Sequence, residues 1–137
     1  MLDFAIVIAR EAGAVLREGR KLQRQIQLKS PFELVTDIDH ASERLLVGAI
    51  SARFPEHVIL AEESGGSFDD ARPTWLIDPL DGTNNYAHGF PFFAVSLGLW
   101  ADNKPVLGVV YDPMRDELFT AQAGAGAGFG GGLVGEL

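Results

Sequence analysis

Apolar residues recur every three or four positions through the first part of the chain. Leu2, Ala5, Ile6, Ala9, Ala12, Val15 and Leu16 follow that period, which predicts an amphipathic helix over residues 1–24. Arg10, Arg17, Glu18 and Lys21 are left for its outer face. Ser30-Pro31 breaks the pattern, because proline disfavours a helical conformation in the residue before it. Thr36-Asp37 then offers an N-cap for a second helix over about residues 38–53. Ala41, Leu45, Ala49 and Ile50 form its apolar side, and Phe54-Pro55 ends it.

Beyond Pro55 the period shortens. Residues 58–61 and 74–77 are short apolar runs bounded by turn residues, the pattern of buried strands. Residues 92–100 form a longer run. Ala101-Asp102-Asn103-Lys104 reads as a hairpin loop joining it to residues 105–111. A second turn at residues 112–116 leads into residues 117–121, and its Asp112 and Asp116 are expected in solvent. Trp75 and the aromatic cluster at 90–93 are expected in the core. Helices followed by strands joined mostly by hairpins predict an α+β fold: two amphipathic helices packed on a mostly antiparallel sheet. From Ala123 onward the chain is nearly half glycine. Glycine loses the most freedom on folding, and few side chains here could offset that loss. The expected division is therefore a domain over residues 1–122 and a disordered tail over 123–137.

Composition narrows the chemistry. The 137 residues are one domain's length, and 47% of them are apolar, enough for a core. No apolar run approaches the ~20 residues of a membrane helix. The stretch from Phe4 to Ala9 is short, follows Asp3 and lacks the basic flank of a secretory signal. The expectation is a cytoplasmic protein with no membrane partner. The chain has no cysteine, which excludes disulfides, thiolate metal sites and cysteine nucleophiles. Its net charge of −8 and its lack of a basic run argue against nucleic acid as a partner. An acidic chain that handles a phosphorylated substrate needs positive charge from elsewhere, and bound divalent cations would provide it.

The informative segment is Trp75-Leu-Ile-Asp-Pro-Leu-Asp-Gly-Thr-Asn-Asn-Tyr86. An apolar strand delivers Asp78 at its end. On an unbroken strand, side chains three apart point to opposite faces. Pro79 and Gly82 permit a turn that would bring Asp78 and Asp81 to one point. Two carboxylates held close raise each other's pKa unless a cation sits between them. Oxygen donors without cysteine or histidine suit Mg²⁺ or Mn²⁺ rather than zinc. A helical turn starting at Gly82-Thr83 would aim free N–H groups at a phosphate. Taken alone, Asp-x-x-Asp reads as an ordinary surface turn; the strand before it and Gly-Thr after it favour a site. Glu62-Glu63 likewise follows an apolar strand, and gains weight as a third carboxylate source only from Asp78 and Asp81. On composition alone, Thr36 to Asp39 reads best as a helix cap. His40, His57 and His88 show no ligand spacing.

These residues, with Gly89-Phe-Pro-Phe-Phe-Ala-Val-Ser96, resemble the signature of the inositol monophosphatase family, Mg-dependent and lithium-sensitive phosphatases. Ala61-Glu-Glu-Ser64 is similar to its acidic metal motif. Lys29-Ser-Pro and Leu34-Val-Thr-Asp-Ile-Asp39 resemble its early lysine and Thr-x-x-Asp motifs, and Gly108-Val-Val-Tyr-Asp-Pro113 is also family-like. The likeness runs in order over residues 1–127. It implies the amino-terminal half of the layered sugar-phosphatase fold, and hydrolysis of a phosphate monoester of a small polyol by metal-activated water. Myo-inositol monophosphate is the first expectation. Histidinol phosphate, fructose 1,6-bisphosphate and 3'-phosphoadenosine 5'-phosphate are the alternatives.

The resemblance also implies roles. Glu63, Asp78, Thr83 and the Leu80 carbonyl would hold a first metal, and Asp78 and Asp81 would contribute to a second. Glu63, Leu80, Asp81, Gly82 and Thr83 would meet the substrate, with the Gly82 and Thr83 N–H groups on its phosphate. Thr83 and Glu63 would help activate the attacking water, Asp39 would orient Thr83, and Lys29 would lie near the metal-bound waters. The family's second half carries a Trp-Asp motif whose aspartate completes the second metal site. Here Trp100-Ala-Asp102 has a different spacing, and the glycine-rich ending departs from the family pattern. A truncated or frame-shifted reading frame would account for it. The competing expectation is a non-catalytic fragment that binds one divalent ion or self-associates, as a homodimer or larger.

Overall fold

The computed structural model describes residues 1–25, 31–61, 69, 71–130 and 132–135. Helix α1 spans Leu2–Gln25. Ala5, Ile8, Ala9, Ala12 and Leu16 form its buried stripe; Ile8 is an addition to the expected set, and Leu2, Ile6 and Val15 from that set are half-buried. Helix α2 spans Pro31–Arg53 and so begins two turns before the expected start. Proline suits a first helical position: its φ is already helical and its missing N–H would have no partner there. Leu34, Val35 and Ile38 are buried, which extends the packed face through those turns. Thr36 is therefore not a cap. Its hydroxyl donates back to the Phe32 carbonyl at 2.9 Å within the helix.

The buried stripe of α2 also differs from the expected one. It runs through Leu34, Ile38, Ser42, Leu46 and Ile50, with Asp39 beside it. Ala41, Leu45 and Ala49 lie at its flanks, half-buried. Two polar residues, Asp39 and Ser42, are thus carried into the interior.

Among the described residues, seven strands form one sheet in chain order. They are β1 (Val58–Ala61), β2 (Thr74–Asp81), β3 (Ala94–Ala101), β4 (Lys104–Asp112), β5 (Glu117–Gln122), β6 (Gly126–Phe129) and β7 (Gly132–Gly135). The first two are parallel, and every later pair is antiparallel. The α+β expectation holds. Asp102 and Asn103 both have positive φ, as a two-residue β3–β4 hairpin requires. The glycine-rich segment expected to be disordered instead supplies β6 and β7. Ladder hydrogen bonds come from the backbone, so β5 can template a strand that carries almost no side chains.

The two helices cover one face of the sheet, α1 over β3 and β4 and α2 over β2. Trp75, Ile77, Val95, Leu97, Leu99, Leu107, Val109 and Leu118 point into that layer and are buried. On the opposite face the register aligns Asp78, Ser96, Val110, Phe119 and Phe129 in one row. Leu76, Val110, Phe119 and Phe129 are exposed there. Asp112, expected in solvent, is buried. It accepts from the Met114 and Arg115 N–H groups and pairs with the Arg115 guanidinium at 3.0 Å. Of the aromatic cluster, Phe93 is buried but Phe90 and Phe92 are exposed, with the Arg115 guanidinium 4.8 Å from the Phe92 ring centre. Among the described residues no helix is long and apolar enough to cross a membrane.

Candidate phosphate and metal site

Strand β2 carries its aspartates to one side through a bulge rather than the expected turn. Asp78 pairs with Ser96 and Asp81 with Ala94, so three steps along β2 match two along β3. The extra residue is a β-bulge. Burial follows: Trp75 and Ile77 face inward, Pro79 and Leu80 are both buried, and Leu76 and Asp81 are exposed with Asp78 half-buried. Without the extra residue, Asp78 and Asp81 would lie on opposite faces.

The bulge is tied down from two directions. The Leu80 N–H donates to Asp78 Oδ1 at 3.2 Å, an Asx turn that fixes one carboxylate oxygen. From the helix layer, the Ser42 hydroxyl donates to the Pro79 carbonyl at 2.8 Å in a fully buried contact.

Gly82 follows with φ of 92° and opens the short helix α3, Thr83–Ala87. Only glycine adopts that conformation without strain. A Cβ at Gly82 would also approach the Phe92 carbonyl to 3.1 Å. Asn85 Nδ2 donates to the same carbonyl at 2.9 Å. Tyr86 is fully buried, and its hydroxyl donates to the Leu16 carbonyl of α1 at 2.7 Å. Burial pushes the Tyr86 phenol well above its ordinary pKa, so it remains a donor. A Cβ at Gly19 would come within 2.8 Å of that hydroxyl, so the close contact requires the glycine.

Asp39 and Thr83 line one cavity of about 230 Å³ between α2 and α3, together with Thr36, His40 and Asn84. On the far side, Asp81 and Gly82 border a second hollow of about 480 Å³ walled by Phe92, Val110 and Phe119. Asp78 lines a third, of about 350 Å³, with Ala61 and Ser96. Strand β1 ends at Ala61, in parallel register with Ile77, the residue before Asp78.

Asp78, Leu80, Asp81, Gly82 and Thr83 thus follow one another at the end of β2, and Asp39 shares a cavity with Thr83, while Asp81 and Asp78 border separate hollows. Lys29 and Glu63 lie outside the described residues, as does Glu62. Among the described residues, no three acidic or histidine side chains gather closely enough to enclose a metal ion. Ser42 was missed in the sequence. Its one signal was a serine three residues after Asp39 on the same helix, in the line of Leu46 and Ile50.

The sequence matches the inositol monophosphatase family over residues 1–135. It is 45% identical over 130 residues to inositol monophosphatase 3 of Solanum lycopersicum, covering 92% of this chain and 48% of that protein. It is 46% identical over 130 residues to the Nus factor SuhB of Pasteurella multocida, covering 93% of this chain and 49% of the other. The crystal structure of inositol monophosphatase II from Staphylococcus aureus superposes with a TM-score of 0.87 at 36% identity, over 99% of this chain and 51% of that one. The chain spans about half the length of the curated relatives it matches.

Proposed function

The chain belongs to the inositol monophosphatase family, and we propose that it forms the metal- and phosphate-binding side of a phosphomonoesterase whose substrate is myo-inositol monophosphate. The observation that carries this reading is the shared face of Asp78 and Asp81, placed directly before Gly82 and the start of α3. The donor set fits Mg²⁺, with Mn²⁺ as a substitute, since the side chains offered by residues 78–83 are oxygen donors. Asp78, Thr83, the Leu80 carbonyl and Glu63 would hold one ion, and Asp78 with Asp81 a second. Such ions supply positive charge beside a phosphate and lower the pKa of water they bind.

The chain's own residues do the rest. The Gly82 and Thr83 N–H groups donate to phosphate oxygens and fix the phosphorus in place. Thr83 and Glu63 would help activate the attacking water, with the Glu63 carboxylate taking its proton as the phosphorus–oxygen ester bond breaks and the polyol leaves. Asp39 orients the Thr83 hydroxyl; the cavity that both residues line supports this pairing. By the family resemblance, Lys29 would add positive charge near the metal-bound waters. Support for Glu63 comes from the strand before it: Ala61 lies beside Ile77, and Glu63 is two residues further along the chain. The location proposed for this chemistry is the cytoplasm.

The half-length match to the relatives favours a second reading, a divalent-ion-binding module without turnover. Phosphate release from inositol 1-phosphate with Mg²⁺, measured beside metal binding, separates the two. Turnover that disappears in Asp81→Asn supports the enzyme. Metal binding without turnover selects the module. Neither binding nor turnover overturns both. Faster release from histidinol phosphate, fructose 1,6-bisphosphate or 3'-phosphoadenosine 5'-phosphate would correct the substrate.

A further inference from the structure

We propose that Ser42 is a positioning residue for the metal site, acting through the Pro79 carbonyl. The proposal rests on the metal reading above and deepens it. Asp78 and Asp81 share a face because of the bulge between them, so whatever holds the bulge sets the spacing of the carboxylates. The bulge has few ways to hold itself. Pro79 has no N–H, and an irregular pair of residues interrupts the β2–β3 ladder. Pro79 is fully buried, so its carbonyl has no recourse to water.

Ser42 supplies the donor. It is fully buried on α2, and its Oγ reaches the Pro79 oxygen at 2.8 Å across 37 positions of sequence. A serine in a helix ordinarily bonds back to its own preceding turn. Here the hydroxyl is spent on the sheet instead. The contact clamps the strand one residue after Asp78 and one before Leu80, the two groups joined by the Asx turn. A clamp at that point fixes both the direction of the Asp78 carboxylate and the plane of the Leu80 peptide. Outer-shell hydrogen bonds of this kind typically change metal affinity about 10–100-fold when removed.

The same helix carries Asp39 into the cavity beside Thr83. Asp39 and Ser42 stand three positions apart, nearly one turn, on the inward side of α2. One rigid helix therefore addresses both the bulge and the start of α3. That gives Ser42 a task distinct from packing: a buried alanine would fill most of the same space, but would leave the bulge without its donor.

Mn²⁺ binding by the full chain, followed by electron paramagnetic resonance at a temperature where every variant is folded, tests the idea. The set is wild type, Ser42→Ala, Ser42→Thr, Leu46→Ala and Asp78→Asn. Leu46 is buried one turn further along α2 and has no polar role, so it reports what lost packing alone does. The expected result is a dissociation constant raised about 10–100-fold in Ser42→Ala. It should stay unchanged in Leu46→Ala, and Ser42→Thr, which keeps the hydroxyl, should bind more tightly than Ser42→Ala. Amide exchange at Leu80 should quicken in Ser42→Ala and not in Leu46→Ala. Should Ser42→Ala fail to fold, Ser42→Cys carries the same comparison, since it keeps the volume and donates only weakly. Affinity and Leu80 exchange in Ser42→Ala no different from those in Leu46→Ala would overturn the proposal while leaving the metal site standing. Equal binding by wild type and Asp78→Asn would overturn the metal reading itself, and the proposal with it.

Discussion

Asp78 and Asp81 leave β2 on the same side because one residue of that strand is surplus to the pairing with β3. The spacing of the two carboxylates is thus a property of the sheet, held from the helix layer.

Metal binding should follow from that arrangement. Calorimetric titration with Mg²⁺ or Mn²⁺ is expected to give a weak but measurable heat, since Mg²⁺ keeps several waters and needs few protein ligands. Asp78→Asn and Asp81→Asn should each reduce it sharply, because each removes a charge from the shared face. Identical titration curves for all three proteins would count against the site.

Gly82→Ala should destabilise the chain. The left-handed backbone at φ of 92° costs a residue with a Cβ about 1–2 kcal/mol. The approach to the Phe92 carbonyl at 3.1 Å adds to it. Urea unfolding would register the loss as a lower midpoint at unchanged slope. A midpoint equal to wild type would mean that the turn into α3 relaxes.

Stability should fall as the pH drops below about 6.5, the ordinary value for histidine. His57 Nδ1 accepts a hydrogen bond from Trp75 Nε1 at 3.0 Å, and its ring stacks on Phe54. Burial holds His57 below its ordinary pKa, with Glu56 pulling the other way. A depressed histidine favours the folded state when neutral. Its contribution is therefore complete above the ordinary value and is lost as pH falls through the lowered one. Melting temperatures at pH 7.5 and pH 5 should differ more in wild type than in His57→Gln, whose amide oxygen can accept the same bond without titrating. Parallel pH profiles would remove His57 from the account.

The row of Val110, Phe119 and Phe129 on the face away from the helices should make the chain self-associate. Sedimentation is expected to show a mass that rises with concentration, and Phe119→Ser should lower it. A monomer at all concentrations would contradict this expectation.

Where side chains announce the structure, the sequence was readable. The three-to-four-residue period in α1 located Ala5, Ala9, Ala12 and Leu16 of its buried stripe, though not Ile8, and Asp102-Asn103 marked a hairpin that needs positive φ twice. Other features were not legible. Pro31 breaks a helix from one direction and starts one from the other, and the pattern did not distinguish the two. The glycine-rich end carried no side-chain signal, because what orders it is the free edge of β5. Ser42 carried no signal within its own helix, because its partner lies 37 residues away at Pro79. The site was legible in its local run, from Asp78 to Thr83. The bulge that aligns it was not, since a bulge is a mismatch between two strands and neither strand contains it alone.

The row beside the aromatic one has a different character. Leu76, Gly98, Gly108, Ala121 and Ala127 stand in register across the sheet. A Cβ at Gly98 would come no nearer than 3.9 Å to any described neighbour, and at Gly108 likewise 3.9 Å. Neither glycine is demanded by the packing of the described residues. Their absent side chains leave a shallow lane beside the ridge of Phe119 and Phe129, so that the open face has relief as well as greasiness. A surface with relief selects the shape of what lies against it, whereas a flat apolar one would accept almost anything.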